Sequence, residues 1–346
     1  MRTIRAAVKW WRFGAACAAF LVLGGAPSDG ASQAPSRTYL VIITGSSGEP
    51  RFATSFHAQA TALRSAAIDK FGIRDSLVTY LTEDPSKGPA AVTGRSTREG
   101  IALAIDGIAR RAQQGDRVLL LLLGHGSAQN EESRFSIPGP DLTAPEFANL
   151  LNRLSSLTVA FINASSASGD FIKQLAGPNR VVVTATKSSN EKNESLFGQH
   201  FVAAYASDGA DTDKDGRVSV LEAFVYARRE VQREYEKTNR LQTEHAMLDD
   251  DGDGVGHGDP SDQGPDGRRA GAFFLANATG VSATLAADPK AAELLATRQR
   301  IQAQIDSLRA QKAMMKEDDF QRALEPLLVD LAMATQALKA LEKKKP

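Results

Sequence analysis

The stretch Val118-Leu119-Leu120-Leu121-Leu122-Leu123-Gly124-His125-Gly126-Ser127 sets the frame for the whole chain. Six consecutive apolar residues leave no polar face, and a strand apolar on both faces belongs in the middle of a parallel sheet covered on both sides. The sequence then places a titratable side chain, His125, between two glycines just beyond the strand. In open α/β sheets that is the end where functional groups gather, because loops converge there and helix N-termini supply amide donors.

Working outward, short apolar runs alternate with amphipathic stretches, as expected of strands and helices built around a parallel sheet. Strands are predicted at residues 39–44, 77–81, 118–123, 158–162 and 180–185, and helices near 52–71, 98–113, 145–154 and 194–206. The fourth strand runs into Asn163-Ala164-Ser165-Ser166-Ala167-Ser168-Gly169, a second small, polar loop at the same end of the sheet. A histidine flanked by glycines leaves room for a substrate carbonyl, and the Gly126 N–H is a candidate donor to an oxyanion.

These two loops, in this order, resemble those of the legumain-type peptidases of the caspase-like clan, whose third strand ends in Asp-His-Gly-Ser and whose fourth ends in Glu-Ala-Cys-Glu-Ser-Gly. Gly45-Ser46-Ser47-Gly48 is similar to the family's Gly-Ser-Asn-Gly loop, Gln59-Ala60 matches a Gln-Ala pair in its first helix, and Thr184-Ala185-Thr186 resembles the stretch after its fifth strand. The likeness spans about residues 39–206. It implies a caspase/legumain-like, mostly parallel sheet flanked by helices, with a degenerate catalytic set of His125, Ser166 and Gly126. Aligning on Ser168-Gly169 puts Ser166 at the family's cysteine, whereas aligning on Asn163-Ala164 puts Ser165 there. Gly124 stands where the family has an aspartate, Ser47 where it has an asparagine, and His57 where it has an arginine lining its specificity pocket.

Either alignment removes the thiol. A cysteine is a few per cent thiolate near neutrality, whereas a serine hydroxyl needs an aligned base to take its proton during attack. His125 would have to reach Ser166, and the sequence identifies no third group to orient the imidazole. The chain's one cysteine, Cys17, lies upstream of the sheet, inside an apolar segment.

Asp211-Thr212-Asp213-Lys214-Asp215-Gly216-Arg217-Val218-Ser219-Val220-Leu221-Glu222 fits the twelve-position EF-hand calcium loop. Asp211, Asp213 and Asp215 supply carboxylates at positions one, three and five, Gly216 allows the sharp turn, and Arg217 contributes its backbone carbonyl. Ser219 acts directly or through water, and Glu222 can chelate with both oxygens as a helix begins. A second cluster, Asp249-Asp250-Asp251-Gly252-Asp253-Gly254, repeats the opening of this pattern but has Pro260 where the last glutamate belongs. It is the weaker site, with ligands Asp249, Asp251 and Asp253 and with Asp259 or Asp262 as closing candidates; an acidic linker is the competing reading. Calcium is the one cofactor implied.

At the N-terminus Arg2, Arg5, Lys9 and Arg12 precede an apolar run over residues 13–25 and then a Pro/Ser/Gly-rich stretch. That order, with a run too short to cross a bilayer, predicts a signal peptide over about residues 1–31 and a periplasmic or secreted protein without a stable membrane span after cleavage. Lysine plus arginine and aspartate plus glutamate both number 41, so nothing in the charge points to nucleic acid.

The expected organisation is a signal at 1–31, an α/β domain at 32–206, a calcium-binding EF-hand-type region at 207–270 containing a helix over 220–240, a return segment or linker at 271–287, and a helical hairpin or coiled coil at 288–346. Residues 272–276 read as a last strand of the main sheet or as a loop. Phe320, Leu324, Leu327, Leu331, Ala334, Leu338 and Leu341 step by fours and threes, a heptad, and Pro326 is expected to kink or restart that helix. Three functions fit: an exported pseudopeptidase that binds a peptide or protein partner in its cleft or on its C-terminal helices; a serine-dependent peptidase or hydrolase using Ser166 and His125; and a structural calcium-binding envelope protein.

Overall fold

The computed structural model describes residues 36–129, 132–207, 209–212, 217–261, 263–275 and 289–342. The expected signal segment and Cys17 therefore lie outside the described residues, as do Asp213, Asp215, Gly216 and Asp262.

The central sheet is built from β1 (Thr38–Thr44), β2 (Val78–Thr82), β3 (Gly94–Arg95), β4 (Arg117–Leu123), β8 (Thr158–Asn163), β9 (Arg180–Thr184) and β10 (Met247–Asp249), in the order β10-β9-β8-β4-β1-β2-β3. β4, the six-residue apolar run, takes the middle place, and Val118, Leu119, Leu120, Leu121 and Leu122 are completely buried. All pairings are parallel except that of β10 with β9. The protein thus has a mixed α/β fold with a mostly parallel seven-stranded sheet flanked by helices. A small antiparallel sheet of β5 (Gly126–Gln129), β6 (Glu132–Phe135) and β7 (Leu142–Thr143) follows directly from the end of β4.

Alternation along the strands sends successive side chains to opposite faces. Leu40, Ile42, Leu119, Leu121, Ile162 and Val183 pack against α1 (Pro50–Ser65), α5 (Phe197–Ala206) and α6 (Val220–Lys237). Val41, Ile43, Leu120, Leu122, Phe161 and Val182 pack against α2 (Arg98–Arg111), α3 (Ala144–Leu151) and α4 (Phe171–Leu175). On this second face Phe147, Phe161 and Phe171 form a ring cluster with centroids 5.4–5.9 Å apart.

The helix starts follow from local chemistry. Pro50 opens α1 at the position where its missing N–H costs nothing. The Thr97 hydroxyl accepts from the Gly100 N–H to cap α2, and Thr143 with Glu146 and Ser219 with Glu222 form reciprocal capping boxes at α3 and α6. α5 begins at Phe197, later than the apolar pattern suggests. The buried Glu244 carboxylate accepts the Leu196 and Phe197 N–H groups and the Ser195 hydroxyl there.

Of the two readings of residues 272–276, the described part, 272–275, is a loop after the short α7 (Arg268–Gly271), touching Ser219 through one isolated bridge at Phe274, and the sheet edge is taken by β10 from inside the acidic stretch. Leu248 and Asp249 are fully buried beside β9, whereas Phe273 and Phe274 bury their rings against other partners. The C-terminal hairpin consists of α8 (Pro289–Gln311) and α9 (Glu317–Glu342), and α9 runs through Pro326 without restarting. Pro326 is solvent-exposed, and Leu324 and Leu331 on either side of it are buried against Ile301, Ile305 and Phe320, so packing offsets the one missing backbone bond. No helix among the described residues is long and apolar enough to cross a membrane.

Candidate functional site

In the sheet order the chain moves outward from β1 to β2 and β3, then returns to the other side of β1 with β4 and β8. The reversal point lies between β1 and β4, and loops beyond the carboxyl ends of those strands diverge to leave a crevice. The β1 loop carries Ser46 and Ser47, the β4 loop carries Gly124 and His125, and the neighbouring β8 loop carries Ser165 and Ser166. An added Cβ on Gly45 would lie 2.3 Å from the Ser136 carbonyl oxygen and one on Gly124 2.9 Å from the Phe135 ring, so both glycines are required by the close approach of β1, β4 and the end of β6.

His125 is held on three sides. Its Nε2 donates to the Ser47 carbonyl at 3.2 Å; a carbonyl oxygen only accepts, so Nε2 carries the proton and Nδ1 of the neutral ring is an acceptor. The rings of Phe52 and Phe56 meet the imidazole edge-on, with centroids 4.4 and 5.4 Å away. Ser47 is anchored in turn: its N–H donates to Glu83 at 3.1 Å and its hydroxyl bonds the other oxygen of the same carboxylate. The third group that the sequence does not reveal is thus a backbone carbonyl, fixed by Glu83.

Ser166 is buried and its hydroxyl is paired twice with one residue, donating to the Gly126 carbonyl at 3.1 Å and accepting from the Gly126 N–H at 3.3 Å. Among the described residues no hydrogen bond joins Ser166 to His125, although both line one small pocket with Gln59, Glu194, Ser195 and Gln199. Ser165 faces inward: its hydroxyl and N–H both bond the Asn163 side-chain oxygen, at 2.7 and 3.1 Å. Of the two serines left open by alignment, Ser166 is the one in the pocket.

The loop after Ser166 is tightly specified. Ala167 has a φ of 49°, which disfavours any residue with a Cβ. It is held by its N–H to the Glu191 carbonyl at 2.7 Å and by the Ser133 hydroxyl to its own carbonyl at 2.5 Å. The buried Thr186 hydroxyl accepts the N–H groups of Ser168 and Gly169 at 2.8 and 3.1 Å. The Glu191 carboxylate, bonded to the His245 ring at 2.6 Å, joins this loop to the segment before β10. Left-handed backbone at a non-glycine residue persists only where surroundings over-determine it, and such positions cluster at functional loops. Of these supports only Thr186 stands in a motif legible in the sequence; Glu83, Ser133, Glu191 and Glu244 are scattered through the chain and converge only in three dimensions.

His57, at the position where the resemblance implies a pocket arginine, instead bonds the Tyr80 hydroxyl through Nδ1. Burial pushes the Tyr80 phenol up to about 12, so it stays a neutral hydrogen-bonding group.

Of the EF-hand-type loop, the ends are described. The Thr212 N–H donates to Glu222 Oε1 at 2.9 Å, drawing position two against position twelve, while Oε2 accepts from the Ser219 N–H and hydroxyl at 2.9 and 2.8 Å. The Arg217 guanidinium lies 3.6 Å from the centre of the Phe274 ring.

The second acidic cluster is more compact than its broken sequence pattern suggests. Oxygens of Asp249, Asp251 and Asp253 lie within 4.8 Å of one another. Asp249 is fully buried and accepts from the Gly252 and Gly254 N–H groups at 3.1 and 2.7 Å, and both glycines have positive φ. Burial, with Asp266 and Asp251 adding repulsion, pushes the Asp249 carboxyl up to about 6. The fully buried Asp266 accepts from the Asp250 and Asp251 N–H groups and from His257 Nδ1, closing the loop from behind. Of the closing candidates, Asp259 pairs with Arg228 at 2.5 Å. Three hard oxygen donors in a crowded, partly desolvated group suit calcium chemistry.

No family model matches the chain, and no curated protein matches it. Among solved structures it is similar to the crystal structure of drICE, at 13% sequence identity and a TM-score of 0.36, over 59% of this chain and 86% of that chain.

Proposed function

We propose that this chain is an exported, calcium-holding pseudopeptidase on a legumain-like α/β scaffold, which binds a peptide or protein partner in its cleft or on its C-terminal helices rather than cleaving one. The observation that carries this reading is the pairing of the Ser166 hydroxyl with both backbone groups of Gly126. A serine nucleophile needs its proton directed at a base, and here that proton is directed at a carbonyl oxygen. The same pairing occupies the Gly126 N–H, the donor that an oxyanion would need. The peptidase-like ancestry rests on the ordered motifs of the β1, β4 and β8 loops, export on the N-terminal segment, and calcium on the two acidic loops.

The test is labelling of the purified protein with a fluorophosphonate probe, beside Ser166→Ala. Equal, background labelling of both is the expected result. Labelling that disappears in Ser166→Ala would establish the serine-hydrolase alternative instead. One observation favours that second reading: the bond from His125 Nε2 to the Ser47 carbonyl leaves Nδ1 as an acceptor in the pocket that also contains Ser166. A rotation of the Ser166 hydroxyl away from Gly126 is what that chemistry would require.

A further inference from the structure

Side-chain donors in the pocket beside His125 and Ser166 are mostly engaged within the protein. The Ser166 hydroxyl proton goes to the Gly126 carbonyl, and the Ser195 hydroxyl proton goes to the buried Glu244 carboxylate at 2.7 Å. The Gln59 amide donates to the Ser55 hydroxyl at 3.1 Å, and the Gln199 amide nitrogen lies 3.3 Å from a His200 ring nitrogen. What remains is a second proton on each amide and the hydroxyl proton of the exposed Ser55. The start of α5, whose free N–H groups would attract an anion, is also taken: Glu244 accepts from the Leu196 and Phe197 N–H groups at 2.8 and 3.2 Å.

The acceptors, by contrast, stay open. With its nitrogen turned to Ser55, Gln59 directs Oε1 across the pocket to α5, where it would lie 3.1 Å from a Cβ added to Gly198. His125 presents Nδ1 as an acceptor while Nε2 donates to the Ser47 carbonyl. Glu194 lines the same pocket, exposed, and its carboxylate has no hydrogen bond or ion pair among the described residues. No lysine or arginine among the described residues lines the pocket to balance that charge. An anionic side chain would meet the Glu194 charge with nothing to offset it, and a neutral amide would turn its own carbonyl oxygen toward a surplus of acceptors. A guanidinium or an ammonium has only donors, supplies the missing positive charge, and carries an apolar stem. The pocket offers Phe56, Leu123 and Ala164 to such a stem.

We propose that this pocket selects a basic side chain, arginine or lysine, on the peptide or protein segment that the cleft binds, with Glu194 as the residue that sets the preference and Gln59 Oε1 as a second acceptor. This rests on the proposed reading of the cleft as a peptide-binding site and names what the site takes. It does not depend on whether Ser166 reacts.

Binding of the full chain to hexapeptide amides labelled with an uncharged dye would be followed by fluorescence anisotropy, using pools with Arg, Lys, Gln or Glu at one fixed position and uncharged residues elsewhere. The Arg and Lys pools should bind at least about tenfold more tightly than the Gln pool, and the Glu pool should bind most weakly. Glu194→Gln should weaken the basic pools about tenfold and leave the Gln pool unchanged, and Glu194→Lys should turn the preference toward the Glu pool. Because Glu194 is exposed, the melting temperature of both variants should match that of the parent. Gln59→Met, which keeps the length of the side chain and removes Oε1, should weaken the basic pools about threefold to tenfold. Equal binding of the Arg, Lys and Gln pools, or a basic preference that survives Glu194→Gln unchanged, would overturn the pocket assignment alone and leave a peptide-binding cleft in place. Failure of every pool to bind would overturn both.

Discussion

Ser166 and Gly126 form a closed pair: the serine hydroxyl donates to the glycine carbonyl and accepts from the same glycine's N–H. The pair spans two loops, one leaving β4 and one leaving β8, and it requires close approach. An added Cβ on Gly126 would lie 2.1 Å from the Ser166 carbonyl oxygen and 2.7 Å from Ser165 Oγ. Gly126→Ala should therefore force the two loops apart and destabilise the protein by about 2–3 kcal/mol or more. Ser166→Ala, which removes only the hydroxyl, should cost about 1 kcal/mol. Urea unfolding of the two variants checks the order; equal effects would mean the loops part freely.

Thr186 is a fully buried hydroxyl that accepts two backbone donors of the Ser168-Gly169 turn. Thr186→Val preserves shape but strands both N–H groups, at roughly 1–3 kcal/mol for each. Thr186→Ser keeps the oxygen and loses one methyl, about 0.8 kcal/mol. Chemical denaturation should rank valine well below serine, and the reverse ranking would show that the methyl rather than the hydroxyl matters.

Asp116, just before β4, accepts from the Arg37 N–H and from Arg37 Nε and Nη2, and from the Gln113 N–H. Burial works to raise its carboxyl, but these donors and the guanidinium charge outweigh that and hold it below its ordinary 3.8. A carboxyl depressed on folding contributes stability that is complete above the unfolded value and is lost as pH falls through the folded one. Asp116→Asn should thus destabilise at neutral pH by about 2 kcal/mol. It should also flatten the fall in stability below about pH 4. Thermal melts of parent and variant across the acid range measure both effects; parallel curves would contradict the assignment.

The Asp249 carboxyl has the opposite sign. Its folded value of about 6 stands above its ordinary 3.8, so the calcium-free fold holds its proton more tightly than the unfolded chain does. Stability without calcium should therefore decline as pH rises from near 4 through about 6, by an amount on the order of 2 kcal/mol. The decline should vanish in Asp249→Asn. A cation at Asp249, Asp251 and Asp253 would relieve it in the parent, raising the melting temperature at neutral pH and less so at pH 5. Melting with calcium and with chelator reads this out, and a calcium-insensitive parent would remove the second site.

The calcium binding proposed for residues 211–222 is tested by Glu222→Gln. At 100-fold excess over the dissociation constant, calcium held there would add about 2.7 kcal/mol. Titration calorimetry should show one fewer calcium for Glu222→Gln than for the parent; equal uptake would reduce the loop to an acidic turn.

Local chemistry made much of this architecture legible in the amino-acid sequence. An apolar run without a polar face, residues 118–123, can be stable only with cover on both sides, so β4 had to be central. Capping residues such as Thr97, Thr143 and Ser219 write helix starts into four consecutive positions, and the glycines beside His125 mark a crowded turn. Those signals are short-range, and they stand in the sequence whatever the rest of the chain does. The tertiary structure alone decided which of two adjacent serines enters the pocket, and where the hydroxyl of that serine points. It also decided that residues 247–249 take the edge of the sheet beside β9 while residues 272–275 form a loop, and that Ser47, Glu83, Glu191 and Glu244 support loops far from them in sequence. Each of these depends on a hydrogen bond between residues dozens of positions apart. Pairing of that kind is set by how packed layers bring chain segments together, and no local pattern of residues encodes it.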